Sequence, residues 1–193
     1  TEVFGTKMDM PIFLSPTAMQ SLYHPDGDKA SARAAEKFGT IYSMSTMASF
    51  SIEEIANLSS GPKIFQLYIH KDQSITNDLI DRCKRANFNG MCITVDTIVA
   101  GNRERDHRTG FTTPPKFTLD SLMSFAMRPQ WVFNYFTHKK FELANLKDKV
   151  DKGTNIAQSV MGYINEQYDP AMNWKDAESV SYTHLRAHET SLH

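Results

Sequence analysis

The chain has only two cysteines among 193 residues, a formal net charge of −1, and no long apolar run. Each shortage excludes something. Cys83 and Cys92 fall in stretches patterned as helix and strand, so neither a disulfide framework nor a zinc ribbon is expected, and a reducing interior fits. A charge so near zero provides no electrostatic footprint for nucleic acid. No stretch approaches the ~18 consecutive apolar residues of a membrane span, and no charged-then-apolar leader opens the chain. It begins with Thr1 rather than Met, and a missing N-terminal segment is the expectation. Also lacking are a GxGxxG after the first strand-like run, a GxxxxGK[ST] and a nucleophile elbow. These absences remove support for a Rossmann dinucleotide site, a P-loop and an elbow-type hydrolase.

What is present is ordinary globular composition, 40% hydrophobic and 22% charged, enough for one sizeable core or part of a larger one. From Pro11 to Asp96 short apolar runs alternate with amphipathic segments. "PIFLS", "TIYSMST", "KIFQLYI" and "MCITVD" read as strands. Between them, "DGDKASARAAEKFG" reads as a helix closed by Gly39 at C′, "SIEEIANL" opens with a Ser51–Glu54 capping box, and "SITNDLIDRCKRANFNG" is a third helix. This βα rhythm predicts an α/β fold with a parallel sheet, its strands apolar enough to be covered on both faces. Periodicity alone leaves a doubly wound sheet and a (β/α)8 barrel both open.

Each strand turns polar at its C-terminal end: Ser15 and Thr17, Ser45 and Thr46, Gln66 and Tyr68, Thr94 and Asp96. Ligands of parallel α/β folds bind at that edge. Ser and Thr at strand ends also cap following helices, so one such residue says little; four successive ends carrying hydroxyl, amide and carboxylate groups favour a shared polar site. After Asp96 the rhythm stops. "GNRERDHRTG" is a charged loop in which Glu104 and Asp106 neutralise Arg103, Arg105 and Arg108, although Arg103 lies close enough to the fourth strand to clamp a small carboxylate. A long excursion through "RPQWVFNYF" follows, of the kind that forms lids or interaction surfaces. "NIAQSVMGYINEQY" then reads as a helix, and "DPAMNWKDAES" as a turn leading into another.

"PIFLSPTAMQ", "SMSTMAS", "FQLYIHKD", "ITVDTIVAGNRERDHRTG" and "DPAMNWKD" together resemble, in order and spacing, the FMN-dependent α-hydroxy-acid dehydrogenases and oxidases, which include glycolate oxidase and the flavin L-lactate dehydrogenases. The resemblance covers residues 1–179. It implies a (β/α)8 TIM barrel, represented here by about its first four strands with a long excursion after the fourth. It also implies FMN as cofactor and oxidation of an L-2-hydroxy acid, L-lactate foremost, to the 2-oxo acid. A glycolate-type oxidase using oxygen is the alternative, and a non-catalytic half-barrel acting as an interaction fragment is another of a different class. By this resemblance Pro16, Thr17 and Ala18 lie against the flavin ring, while Ser45, Gln66 and Thr94 hydrogen-bond it. Tyr68 touches flavin and substrate, Arg103 pairs with the substrate carboxylate, and Asp96 orients a catalytic histidine. Such fixed donors and acceptors tune a flavin's electronics, and a carboxylate supports a histidine base.

The excursion looks more like the respiratory L-lactate dehydrogenases, so Trp131, Phe133, Tyr135 and Phe136 are candidates for an apolar surface meeting a membrane or an electron acceptor; packing onto the barrel is the competing reading. The expected electron acceptor is quinone, cytochrome or oxygen, and the assembly a homo-oligomer. The expected location is cytoplasmic, with the inner membrane face or the mitochondrion as alternatives. The lysine strand and the "SNHGGRQ"-like motif of the family do not occur in the chain, so a truncated, inactive fragment is expected. "VSYTHLRAHET", Val180 to Thr190, resembles one reading frame of a sequencing-library adapter, and 180–193 is therefore expected to be a non-native tail. Its His184 and His188, an i, i+4 pair, could share a helix face and with Glu189 form a metal-binding module, but Leu185 breaks the HExxH pattern, and no metal site is expected.

Overall fold

The computed structural model of the chain describes residues 1–3, 5–95, 104, 108, 118–138, 142–147, 167–169 and 171–183. A two-stranded antiparallel ribbon, β1 (Glu2–Val3) and β2 (Thr6–Lys7), precedes the main body. The body alternates α1 (Gly27–Lys37), β3 (Tyr42–Ser45), α2 (Ile52–Leu58), β4 (Lys63–Tyr68), α3 (Gln73–Arg85) and β5 (Gly90–Thr94). β3, β4 and β5 form one parallel sheet in sequential order. The expected first strand, "PIFLS", contributes a single parallel bridge, Leu14 with Tyr42, made by Leu14 N to Ile41 O at 3.1 Å and Ser43 N to Leu14 O at 3.1 Å. Pro11 and Pro16 flank it without backbone N–H groups, which limits the ladder it can build.

Local chemistry explains the helix ends. After α1, Gly39 takes the left-handed conformation at φ +60. Thr40 N bonds Ala35 O at 2.9 Å and Gly39 N bonds Glu36 O at 3.2 Å, a Schellman closure. α2 starts on the expected capping box: Ser51 N donates to Glu54 at 2.9 Å and Glu54 N to Ser51 Oγ at 3.1 Å. α3 starts on Asp72, whose carboxylate accepts from Ser74 N at 2.9 Å. It ends at Arg85, short of Gly90, where the segment read as helix stops. Asn87, at φ +54, takes the left-handed position, and Phe88 N returns to Cys83 O at 3.1 Å. Asn is the non-glycine residue that tolerates this conformation best.

The strands alternate rather than being apolar throughout. Tyr42, Met44, Phe65 and Leu67 project to one face and are buried at 0–1% exposure, packed with Ala32 and Ala35 of α1, Ile52 and Ile55 of α2, and Ile75, Leu79, Ile80 and Cys83 of α3. Each fully buried large side chain contributes about 1.5–3 kcal/mol. By register and the two-residue period, the opposite face carries Ser43, Ser45, Gln66, Tyr68, Cys92 and Thr94. The sheet thus has a helix-packed apolar side and a side rich in hydroxyl, amide and thiol groups.

Two further helices, α4 (Leu119–Ala126) and α5 (Pro129–Thr137), form a hairpin in the excursion. The stretch 142–147 returns to the body: Leu143 and Leu146 are buried, Ala144 N donates to Ala48 O at 3.3 Å, and the Asn145 side chain accepts from Ile52 N at 3.0 Å. Arg82 clamps this junction with bonds to Glu53 at 2.7 and 2.8 Å and to Asn145 at 3.2 and 3.3 Å. Arg82 also holds the Glu53 carboxyl well below its ordinary range, at about 2. The helix expected over 155–168 lies outside the described residues apart from Gln167 and Tyr168. α6 (Trp174–Thr183) begins after a turn capped by Asn173, whose side chain accepts from Lys175 N at 2.9 Å while Asp176 accepts from Asn173 N at 2.8 Å. α6 runs past Val180, which is buried. His184, His188 and Glu189 lie outside the described residues.

Candidate site at the strand ends

Sheet register brings the expected site residues together. Ser45 stands opposite Gln66, and Tyr68 opposite Thr94. A hydrogen-bonded row crosses all three strands on the polar face: Ser45 Oγ donates to Gln66 Oε1 at 3.3 Å, and Gln66 Nε2 donates to Thr94 Oγ1 at 2.6 Å. Met47 N donates to Ser45 Oγ at 3.2 Å, fixing that hydroxyl. Thr46 Oγ1 donates to Gln66 O at 2.6 Å and receives Tyr68 N at 3.4 Å, tying the ends of β3 and β4 together. Ser45 and Gln66 are buried, whereas Thr94 and Tyr68 are half-buried.

The Pro16–Ala18 segment reaches the same edge. Met19 N donates to Met47 O at 3.0 Å just past β3, and Gln20 Nε2 holds Thr17 O at 3.4 Å. Pro16, Thr17, Ala18, Ser45, Gln66, Tyr68 and Thr94 therefore share one rim. Asp96 and Arg103 lie outside the described residues. In the charged loop, Arg108 pairs with Glu104 at 3.2 Å, the self-neutralisation expected of that stretch. Among the described residues no cluster of His, Cys, Asp and Glu could hold a metal ion.

Sequence reading missed Tyr168 and His70. Residues 167–169 dock antiparallel on the segment after β4, with Lys71 N to Gln167 O at 2.8 Å and Asp169 N to Ile69 O at 3.2 Å. The Tyr168 ring stacks on Tyr68, centroids 4.4 Å apart and planes 22° apart, and meets the buried His70 edge-on at 5.6 Å. Burial pushes His70 down to about 4, against smaller opposing pulls from the Asp72 carboxylate and the Tyr68 backbone. No local spacing announces a contact between positions so distant in the chain. The one available signal was an unexplained tyrosine just before "DP".

A parallel α/β sheet with its helices on one face and converging polar groups at its strand ends is the arrangement at which folds of this class bind small ligands. The family model described as FMN-dependent dehydrogenase matches residues 1–185, and the chain belongs to that family of FMN-dependent α-hydroxy-acid oxidases and dehydrogenases. Glycolate oxidase 1 of Zea mays is 38% identical over 178 residues, 92% of this chain and 42% of that protein. Glycolate oxidase of Spinacia oleracea is 38% identical over 176 residues, 91% and 42% respectively. The chain thus spans about two-fifths of the length of these curated relatives. Among solved structures, the monotopic membrane protein (S)-mandelate dehydrogenase is similar with a TM-score of 0.84 at 28% identity, covering 95% of this chain and 48% of that one. A mandelate oxidase is similar with a TM-score of 0.67 at 30% identity, covering 95% and 43%.

Proposed function

We propose that this chain is the N-terminal portion of a flavoenzyme that oxidises a small L-2-hydroxy acid to the 2-oxo acid, and that its strand-end rim holds the FMN ring. The observation that carries this reading is the Ser45–Gln66–Thr94 row. An amide has two N–H donors and two acceptor lone pairs. Gln66 uses one of each within the row, and the Thr94 hydroxyl accepts there, keeping its own proton to donate. A fixed donor and acceptor side by side fit the alternating carbonyl and N–H groups along a flavin's polar edge. The residues present therefore suit the group.

FMN, when bound, supplies the two-electron acceptor. Ser45, Gln66 and Thr94 orient it, and Pro16–Ala18 provide a backbone wall along the same edge. Tyr68 presents its hydroxyl to the acid. Arg103 pairs with the substrate carboxylate, and Asp96 orients a histidine base supplied from beyond this chain. A partial (β/α)8 barrel is the architecture we assign: the sequential parallel order of β3, β4 and β5 is compatible with it, and the likeness to the (S)-mandelate dehydrogenase structure supports it.

The glycolate oxidases among the relatives favour a glycolate-type substrate over the L-lactate expected from the excursion. The test is anaerobic bleaching of the complete enzyme's flavin by glycolate, L-lactate and (S)-mandelate. Bleaching by a hydroxy acid, with glycolate fastest, is expected; unchanged flavin with all three rejects the reading.

A second reading, that the enzyme lies against a membrane surface, is favoured by the α4–α5 hairpin. Leu119, Met123, Met127, Phe133 and Phe136 are each more than 60% exposed there. Among the described residues, no helix is long and apolar enough to cross a membrane.

A further inference from the structure

Tyr68 is the last residue of β4, so its ring stands at the rim with only its backbone inside the ladder. A flat neighbour lies against that ring: Tyr168, 7% exposed, is nearly parallel to Tyr68 at 4.4 Å and meets His70 edge-on at 5.6 Å. Its own backbone is pinned by the two bonds linking 167–169 to Ile69 and Lys71. Asp169 then accepts from Ala171 N at 2.8 Å, fixing the turn that leads into α6. The stack is therefore anchored by the docked 167–169 segment, and rotation of Tyr68 toward Tyr168 is blocked.

We propose that Tyr168 is a positioning residue for Tyr68: stacked on it from the returning segment, it holds the Tyr68 hydroxyl at the strand-end rim where the hydroxy acid binds. The proposal rests on the reading of Tyr68 as a substrate contact. It makes substrate binding depend on correct docking of the segment that follows the excursion. A ring is needed at 168; its hydroxyl is not.

The test uses the complete FMN-loaded enzyme with Tyr168→Phe and Tyr168→Leu, each alone and combined with Tyr68→Phe. Affinity for oxalate, a dicarboxylate with no C–H bond to oxidise, is read from the flavin absorbance beside kcat/KM. Tyr168→Phe is expected to stay within about twofold of the parent. Tyr168→Leu is expected to lose on the order of tenfold in both readings at unchanged FMN affinity. In the Tyr68→Phe background the same change should cost less than about twofold, because the two residues act as one unit. Equal losses in both backgrounds, equal losses for Phe and Leu, or no loss for Leu overturn the proposal. Ring-labelled tyrosine NMR of the parent gives a reading that needs no folded Leu variant. Tyr68 ring signals should be displaced upfield by the stacked neighbour; random-coil positions overturn the proposal. If Tyr68→Phe leaves oxalate affinity and kcat/KM unchanged, the reading of Tyr68 itself fails, an outcome distinct from failure at Tyr168.

Discussion

His70 is an imidazole at 0% exposure that meets the Tyr168 ring edge-on. With its pKa moved from 6.5 down to about 4 by burial, the unfolded chain binds more protons than the folded one between those values. Its contribution to stability is therefore complete above pH 6.5 and is lost as pH falls toward 4, at up to about 1.4 kcal/mol per pH unit. Urea unfolding of the chain at pH 7 and pH 4.5 should show a steeper loss for the parent than for His70→Gln; equal losses refute the assignment. The same surroundings show what was legible at this scale. Ser45, Gln66, Tyr68 and Thr94 could be read as strand-end residues because strand C-termini are where parallel sheets bind ligands, and register sets Ser45 beside Gln66 and Tyr68 beside Thr94 on one face. Their alternation, Ser43–Ser45, Gln66–Tyr68 and Cys92–Thr94, also encoded the polar face, but it was obscured by the apolar residues between them. Tyr168 was illegible because its role arises only when a distant segment folds back.

Elements with chemical punctuation were read closely. Gly39 and the Ser51–Glu54 box mark helix ends through bonds that the sequence specifies within a few residues. Asn87 escaped notice because left-handed Asn is a weaker signal than Gly. "PIFLS" overreached because an apolar run says nothing about whether a full ladder forms beside it. In the α4–α5 hairpin, the four aromatic residues grouped by sequence separate into two roles. Trp131 is half-buried, donates to Leu22 O at 2.8 Å, and stacks on Phe125 and Tyr135, so it anchors the hairpin to the body. Phe133, Tyr135 and Phe136 remain 63%, 54% and 79% exposed. Residues 119–137 contain just two charged side chains, Asp120 and Arg128, a composition suited to the interfacial layer of a bilayer. The complete enzyme with Phe133→Ser and Phe136→Ser should lose most of its cosedimentation with anionic phospholipid vesicles, whereas Trp131→Phe should retain most of it. Equal cosedimentation of the parent and the double variant would exclude the hairpin as the contact.

At the scale of the whole molecule, strand order was the quantity no local pattern could supply, since periodicity is the same for a barrel and for an open sheet. The structure adds the sequential parallel order of β3, β4 and β5 and the separation of apolar and polar faces. They also define a liability of the 193-residue chain on its own. Among the described residues β5 pairs only with β4, so no described strand covers its outer edge, and Val95 beside it is 59% exposed. Such an edge is a template for a second chain. The isolated chain should self-associate as its concentration rises, and Val95→Lys should shift it toward monomer, because a lysine at the edge resists pairing. The exposed hairpin could drive association by a different route, so the Phe133→Ser, Phe136→Ser chain serves as the comparison. If edge pairing governs, sedimentation velocity will show that chain still associating while the Val95→Lys chain does not. The reverse result assigns association to the hairpin, and a parent chain that stays monomeric across the concentration range removes the edge argument altogether.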